Sequence, residues 1–129
     1  MTEKKQVVIP EGGAKPLAPY SPGVVSGSYL FSSGQVALDP ETQKLVEGGV
    51  EAEAKQAMEN LGTVLSAAGL DFTDLIKVTI FMIDMNDYAA INAIYGSYFD
   101  DEPPARSALQ VGALPAGAAV EIEGIAALR

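Results

Sequence analysis

The sequence predicts an α+β fold in which two helices cover one face of a sheet. Three observations predict it. Val50 to Ala68 carries apolar residues at helical spacing. Leu75 to Ile83 is a continuous apolar, β-branched run of the kind found in buried central strands. Around these the order reads strands, helix, strand, helix, two strands. The chain is 129 residues long, 48% hydrophobic and 19% charged, enough for one domain over 1–129 with a real core.

Taken in order, residues 1 to 6 are polar and expected to fray. Val7-Val8-Ile9 reads as a short strand stopped by Pro10. Glu11 to Pro22 is loop, broken by Gly12, Gly13, Pro16, Pro19 and Pro22. Tyr20 sits in that loop, either plugging a core edge or lining a pocket. Val24-Val25-Ser26 and Tyr29-Leu30-Phe31-Ser32 form a hairpin about Gly27-Ser28. Ser33-Gly34-Gln35 interrupts the apolar pattern before Val36-Ala37-Leu38; a glycine there implies a bulge or a close backbone approach. The first helix buries Val50, Ala54, Ala57, Met58, Leu61, Leu65 and Ala68, with Gly69 as its cap. Glu51, Glu53, Lys55 and Glu59 fall on its solvated side. Asn86 is the expected N-cap of a second helix running to about Phe99, with Tyr88, Ile91, Ile94, Tyr95 and Tyr98 as its buried stripe. Asn92 lies at the edge of that stripe, either a polar boundary residue or a pocket residue.

Pro103-Pro104-Ala105-Arg106-Ser107 reads as a stiffened loop feeding a strand that ends at Val111. Arg106 is one of only two arginines. Its planar fork suits a carboxylate and never loses its charge, which makes it the best candidate for gripping a ligand. The alternative is an arginine paired with a surface acid. The last strand, Ala118 to Leu128, puts Val120 and Ile122 on one face and Glu121 and Glu123 on the other. A mostly buried carboxylate in that position is a candidate acid/base; a wet face with both solvated is the plainer reading. Two helices cover one sheet face and nothing remains to cover the other. We therefore expect an oligomer that packs sheet faces together.

The absences narrow the chemistry. There is no cysteine and no histidine, so disulfides, zinc fingers and Cys or His nucleophile–base pairs are excluded. The acidic residues show no cation-loop spacing, and no metal is expected. A formal net charge of -9 argues against nucleic acid and anionic membranes as partners. No apolar run approaches a membrane span and the N-terminus lacks a signal-peptide core, so the chain is expected in the cytoplasm.

Ser33-Gly34-Gln35, Asn92-Ala93 with Tyr95, Pro104-Ala105-Arg106-Ser107 and Glu121-Ile122-Glu123, in this order and spacing, resemble the Rid (YjgF/RidA) family of imine deaminases. The likeness runs from about Ala18 to the C-terminus. It implies a chorismate-mutase-like mixed β-sheet and a homotrimer with ligand sites between subunits. It implies hydrolysis of 2-aminoacrylate and 2-iminobutanoate to 2-keto acids and ammonia, without a cofactor. By position, Arg106 resembles the carboxylate-binding arginine and Glu121 the residue that orients or activates the attacking water. Tyr20, Ser33, Gly34 and Asn92 resemble pocket-lining positions. Two positions depart from the pattern: Ala18 replaces a glycine, and Ala108 replaces a cysteine common two residues after the arginine. A trimer that binds or senses 2-keto acids without turnover, and an endoribonuclease that inhibits translation, are the rival functions.

Overall fold

The structure, a computed structural model, describes residues 4–129. It is an α+β arrangement of one six-stranded mixed sheet and two helices. In chain order the elements are β1 (Gln6–Val8), β2 (Gly23–Ser26), β3 (Tyr29–Ser32), α1 (Gly49–Ala67), β4 (Leu75–Met82), α2 (Tyr88–Gly96), β5 (Ala105–Gln110) and β6 (Val120–Ala127). The spatial order is β1-β2-β3-β6-β4-β5, antiparallel throughout except for the parallel pair β4–β5. That pair is parallel because α2 forms the crossover between its strands.

The core lies between the sheet and α1. Ala54, Ala57, Met58, Leu61, Val64 and Leu65 of α1 pack on Val78, Ile80, Val120 and Ile122, all buried. Alternation along β6 is strict: Val120, Ile122, Gly124 and Ala126 are buried, and the intervening residues only partly so. The opposite face of the sheet carries Tyr29, Phe31 and Leu109, each at least 40% exposed. The partly buried Phe81 and Ile125 lie between them, as the strand registers require. This is the uncovered face that the sequence led us to expect.

Several element boundaries differ from expectation. The second helix does not begin at Asn86. A 3₁₀ turn, Met85–Asp87, comes first, and Asp84 caps it by accepting from the Asn86 N–H at 2.9 Å. An acid two residues upstream competes for the cap role more directly than Asn86 can. The helix ends at Gly96, although Tyr98 and Phe99 still pack on the core. β5 begins at Ala105, so Arg106 lies inside the strand. β1 starts at Gln6 and leaves Ile9 outside it; the expected fraying of residues 1 to 6 falls partly outside the described residues.

Candidate active site

Beyond β3 the chain leaves the hairpin but not the sheet. Gln35 and Ile122 exchange two backbone hydrogen bonds, at 2.8 and 3.0 Å, which lays Ser33-Gly34-Gln35 across β6. Ser33 is fixed from both ends: its N–H donates to Pro22 O at 2.9 Å and its hydroxyl to Ser21 O at 2.6 Å. Gly34 then passes directly over Glu121. A β-carbon at position 34 would overlap the Glu121 carboxylate, so glycine is required here for space rather than for an unusual backbone angle.

A cavity of about 410 Å³ opens at this crossing, lined among others by Leu17, Ala18, Tyr20, Ser33, Gly34 and Glu121. Tyr20 thus lines a pocket and does not plug the core; its hydroxyl accepts from the Leu17 N–H at 3.2 Å. Burial raises the Glu121 carboxyl above its ordinary range, and the charge of Glu123 beside it pushes the same way. Both carboxylates face the cavity.

The cation lies elsewhere. Arg106 stands opposite Val78 in the β4–β5 ladder and shares its face, the one covered by helices. Its Nη1 donates to Asn92 Oδ1 at 2.8 Å and its Nη2 to the Tyr88 hydroxyl at 3.0 Å. The guanidinium carbon is 5.0 Å from the ring centroid of Tyr95 and 5.6 Å from that of Tyr88. These contacts hold the fork between two π faces and an amide. No carboxylate forms an ion pair with it among the described residues, where both ion pairs belong to Arg129. The surface-pair alternative is therefore not realised, and the remaining N–H groups of the fork have no side-chain partner among the described residues. Tyr95 is only 5% exposed, its hydroxyl has no partner among the described residues, and burial pushes its phenol up to about 12 against the pull of Arg106, so it stays neutral.

The candidate residues fall into two groups on opposite faces of the sheet. Tyr20, Ser33, Gly34 and Glu121 form one; Arg106 and Asn92 form the other, with Tyr88. Arg106 is level with Val78 and Glu121 with Phe81, on strands flanking β4. Ladder spacing puts their α-carbons roughly 14 Å apart, beyond the reach of a small ligand even without the intervening sheet. Tyr88 is a further candidate residue that sequence periodicity hid. It fell on the apolar stripe of α2, yet it is 40% exposed and its hydroxyl meets the arginine. Among the described residues no group of His, Cys, Asp or Glu is placed to hold a metal ion.

The Endoribonuclease L-PSP family model matches residues 12–128. A mouse protein named 2-iminobutanoate/2-iminopropanoate deaminase is 52% identical over 110 residues, covering 85% of this chain and 82% of that protein. A RutC family protein of Pyrococcus horikoshii is 42% identical over 122 residues, 95% of this chain and 97% of its own. The crystal structure of RidA from an Antarctic Psychrobacter superposes with a TM-score of 0.91 at 36% identity, over 95% of this chain and 99% of that one. With a fold, a motif set and relatives of this kind, the chain belongs to the Endoribonuclease L-PSP family, the YjgF/RidA/RutC proteins.

Proposed function

We propose that the chain hydrolyses 2-imino acids, such as 2-iminobutanoate and the imine of 2-aminoacrylate, to 2-keto acids and ammonia, in a site assembled between subunits of a homotrimer. The observation that carries this reading is the division just described. A free guanidinium fork and a carboxylate lining a cavity are both present, and one chain keeps them on opposite sides of its sheet. Pairing the fork of one subunit with the cavity of the next reunites them. The uncovered apolar face supplies a surface for that assembly.

In the joined site Arg106 takes the substrate carboxylate through two parallel N–H bonds, with Asn92 and Tyr88 holding the fork in plane. The Gly34 N–H meets the same ligand from the cavity side. Glu121 holds a water against the imine carbon. As the water oxygen bonds to carbon, the C=N π electrons move to nitrogen, and Glu121 accepts the water proton. It returns that proton to nitrogen, which gives a carbinolamine. Glu121 then takes the carbinolamine hydroxyl proton and passes it to nitrogen, so the C–N bond breaks and ammonia leaves as the carbonyl forms. A raised carboxyl pKa suits a group that must both take and give a proton near neutrality. No metal or cofactor enters this sequence. A binding-only reading also draws support from the fork, since the same contacts grip a 2-keto acid. An RNA substrate is disfavoured by the net charge of -9.

Subunit mixing tests the proposal. Arg106→Ala and Glu121→Gln chains, each inactive alone, are co-expressed and the mixed oligomers purified. A random trimer restores about a quarter of the wild-type sites, because each site needs one intact residue from either neighbour. Mixed oligomers as inactive as their parents would overturn the shared site. Wild-type protein that leaves the rate of 2-iminobutanoate loss unchanged would overturn catalysis in favour of binding.

A further inference from the structure

The helix-facing core contains two polar side chains that the chemistry above does not use. Glu53 is 8% exposed and Asn60 3%, and they are the buried polar residues among those described. They lie seven residues apart on α1, two turns along one face. Glu53 forms no ion pair among the described residues. Burying a carboxylate costs free energy unless hydrogen bonds offset it, so the partners of the pair matter.

Both residues reach out of the helix to backbone. The Glu53 carboxylate accepts from the Ala119 N–H at 2.9 Å, and the Ala119 carbonyl in turn accepts from the Ile83 N–H at 3.2 Å. Ala119 is two residues ahead of Glu121. The Asn60 amide donates both its protons, to Val36 O at 3.0 Å and Leu38 O at 2.9 Å, while its oxygen accepts from Gln56 Nε2 at 2.8 Å. Val36 is two residues beyond Gly34. Between the two anchored segments lies the Gln35–Ile122 pair of backbone bonds. The connections close a ring: α1, Asn60, Val36, Gln35, Ile122, Ala119, Glu53 and back to α1. Glu121 sits on that ring, and Gly34, one residue before Gln35, crosses it at Glu121.

We propose that Glu53 and Asn60 are positioning residues for the cavity half of the site, fixing the Gly34 N–H and the Glu121 carboxylate from the far side of the sheet. The catalytic part of this inference rests on the deaminase reading; the clamp itself does not. An apolar pair of similar size would fill the core at less desolvation cost, but it would leave Ala119 N–H and two carbonyls without these partners.

The test uses Glu53→Ala, Glu53→Gln and Asn60→Ala in the full-length protein, well below each variant's melting temperature. Two readouts are taken: 2-iminobutanoate kinetics, and hydrogen exchange at the Gln35 and Ile122 amides. Glu53→Ala and Asn60→Ala are expected to lower kcat about ten- to a hundredfold with KM within about twofold, because the water-holding half moves while the arginine grip does not. Exchange at both amides speeds up at least about tenfold. Glu53→Gln keeps an acceptor for Ala119 and restores both readouts. If Glu53→Ala does not fold, Ala119→Pro deletes the donor instead and carries the same expectations. Variants that lose melting temperature but keep wild-type kcat and wild-type amide exchange overturn the proposal. If the wild type shows no turnover, the deaminase reading fails on its own, and amide exchange alone decides the clamp.

Discussion

Glu121 occupies the space in which a side chain at position 34 would have to stand. The β-carbon site on Gly34 is 2.7 Å from the carboxyl carbon of Glu121, well inside van der Waals contact. Gly34→Ala must therefore displace either the loop or the carboxylate. We expect a stability loss of about 1–3 kcal/mol by denaturant unfolding, as for other overpacked sites. kcat/KM for 2-iminobutanoate falls with it, by at least about tenfold. Wild-type kinetics in this variant would show that the close approach has no part in the reaction.

Arg106 tests the grip. Arg106→Ala removes two or more charge-assisted bonds to the substrate carboxylate, each about 1.5–3 kcal/mol. kcat/KM drops about a thousandfold or more, while the melting temperature stays close to wild type because the residue lies on an edge strand. Arg106→Lys keeps the charge and loses the planar fork, so its rate lies nearer to the alanine variant than to wild type. A lysine variant with full activity would mean that charge alone suffices.

Glu121 carries a pH signature. Its carboxyl is raised from an ordinary value of 4.5 by burial and by Glu123. Below that ordinary value, folded and unfolded chains both hold the proton and folding bears no cost from this group. The cost accrues as pH rises from the ordinary value toward the folded-state pKa and is complete above the latter. Glu121→Gln removes it, so the variant melts higher than wild type at about pH 8, and the gap closes toward about pH 4. Activity moves the other way: kcat falls about 10²–10⁴-fold with loss of the proton carrier. Equal melting temperatures across the range would mean that the carboxylate is solvated and unperturbed.

Tyr88 separates orientation from chemistry. Tyr88→Phe keeps the ring beside the guanidinium and deletes one hydrogen bond to it. At a partly exposed site that bond contributes about 0.5–1.5 kcal/mol, so KM rises about two- to tenfold and kcat holds. A matching fall in kcat would place the hydroxyl next to the reacting carbon instead.

The sequence was most legible where period and chemistry agreed. α1, β4 and β6 follow from apolar spacing alone, and the Gly34 crossing follows from one glycine set in an apolar pattern. Arg106 and Glu121 stood out because each puts a charge into apolar strand sequence. Glu53 did not, since a helical wheel assigned it to water. What buries it is an N–H donor 66 residues away on Ala119, and no local pattern encodes that. Tyr88 failed in the opposite sense, because a tyrosine on an apolar stripe carries a hydroxyl that periodicity ignores. The Asn86 cap gave way to Asp84 because two good capping residues stood two positions apart, and spacing does not rank them.

The sheet that keeps Arg106 and Glu121 back to back has a consequence for how such a protein is silenced. A lone subunit, however well folded, holds both halves of its equipment facing away from each other. In the proposed assembly, turnover per chain therefore depends on total protein concentration and vanishes on dilution while circular dichroism still reports a native spectrum. In that assembly, loss of neighbours rather than loss of shape is the expected route by which activity disappears first.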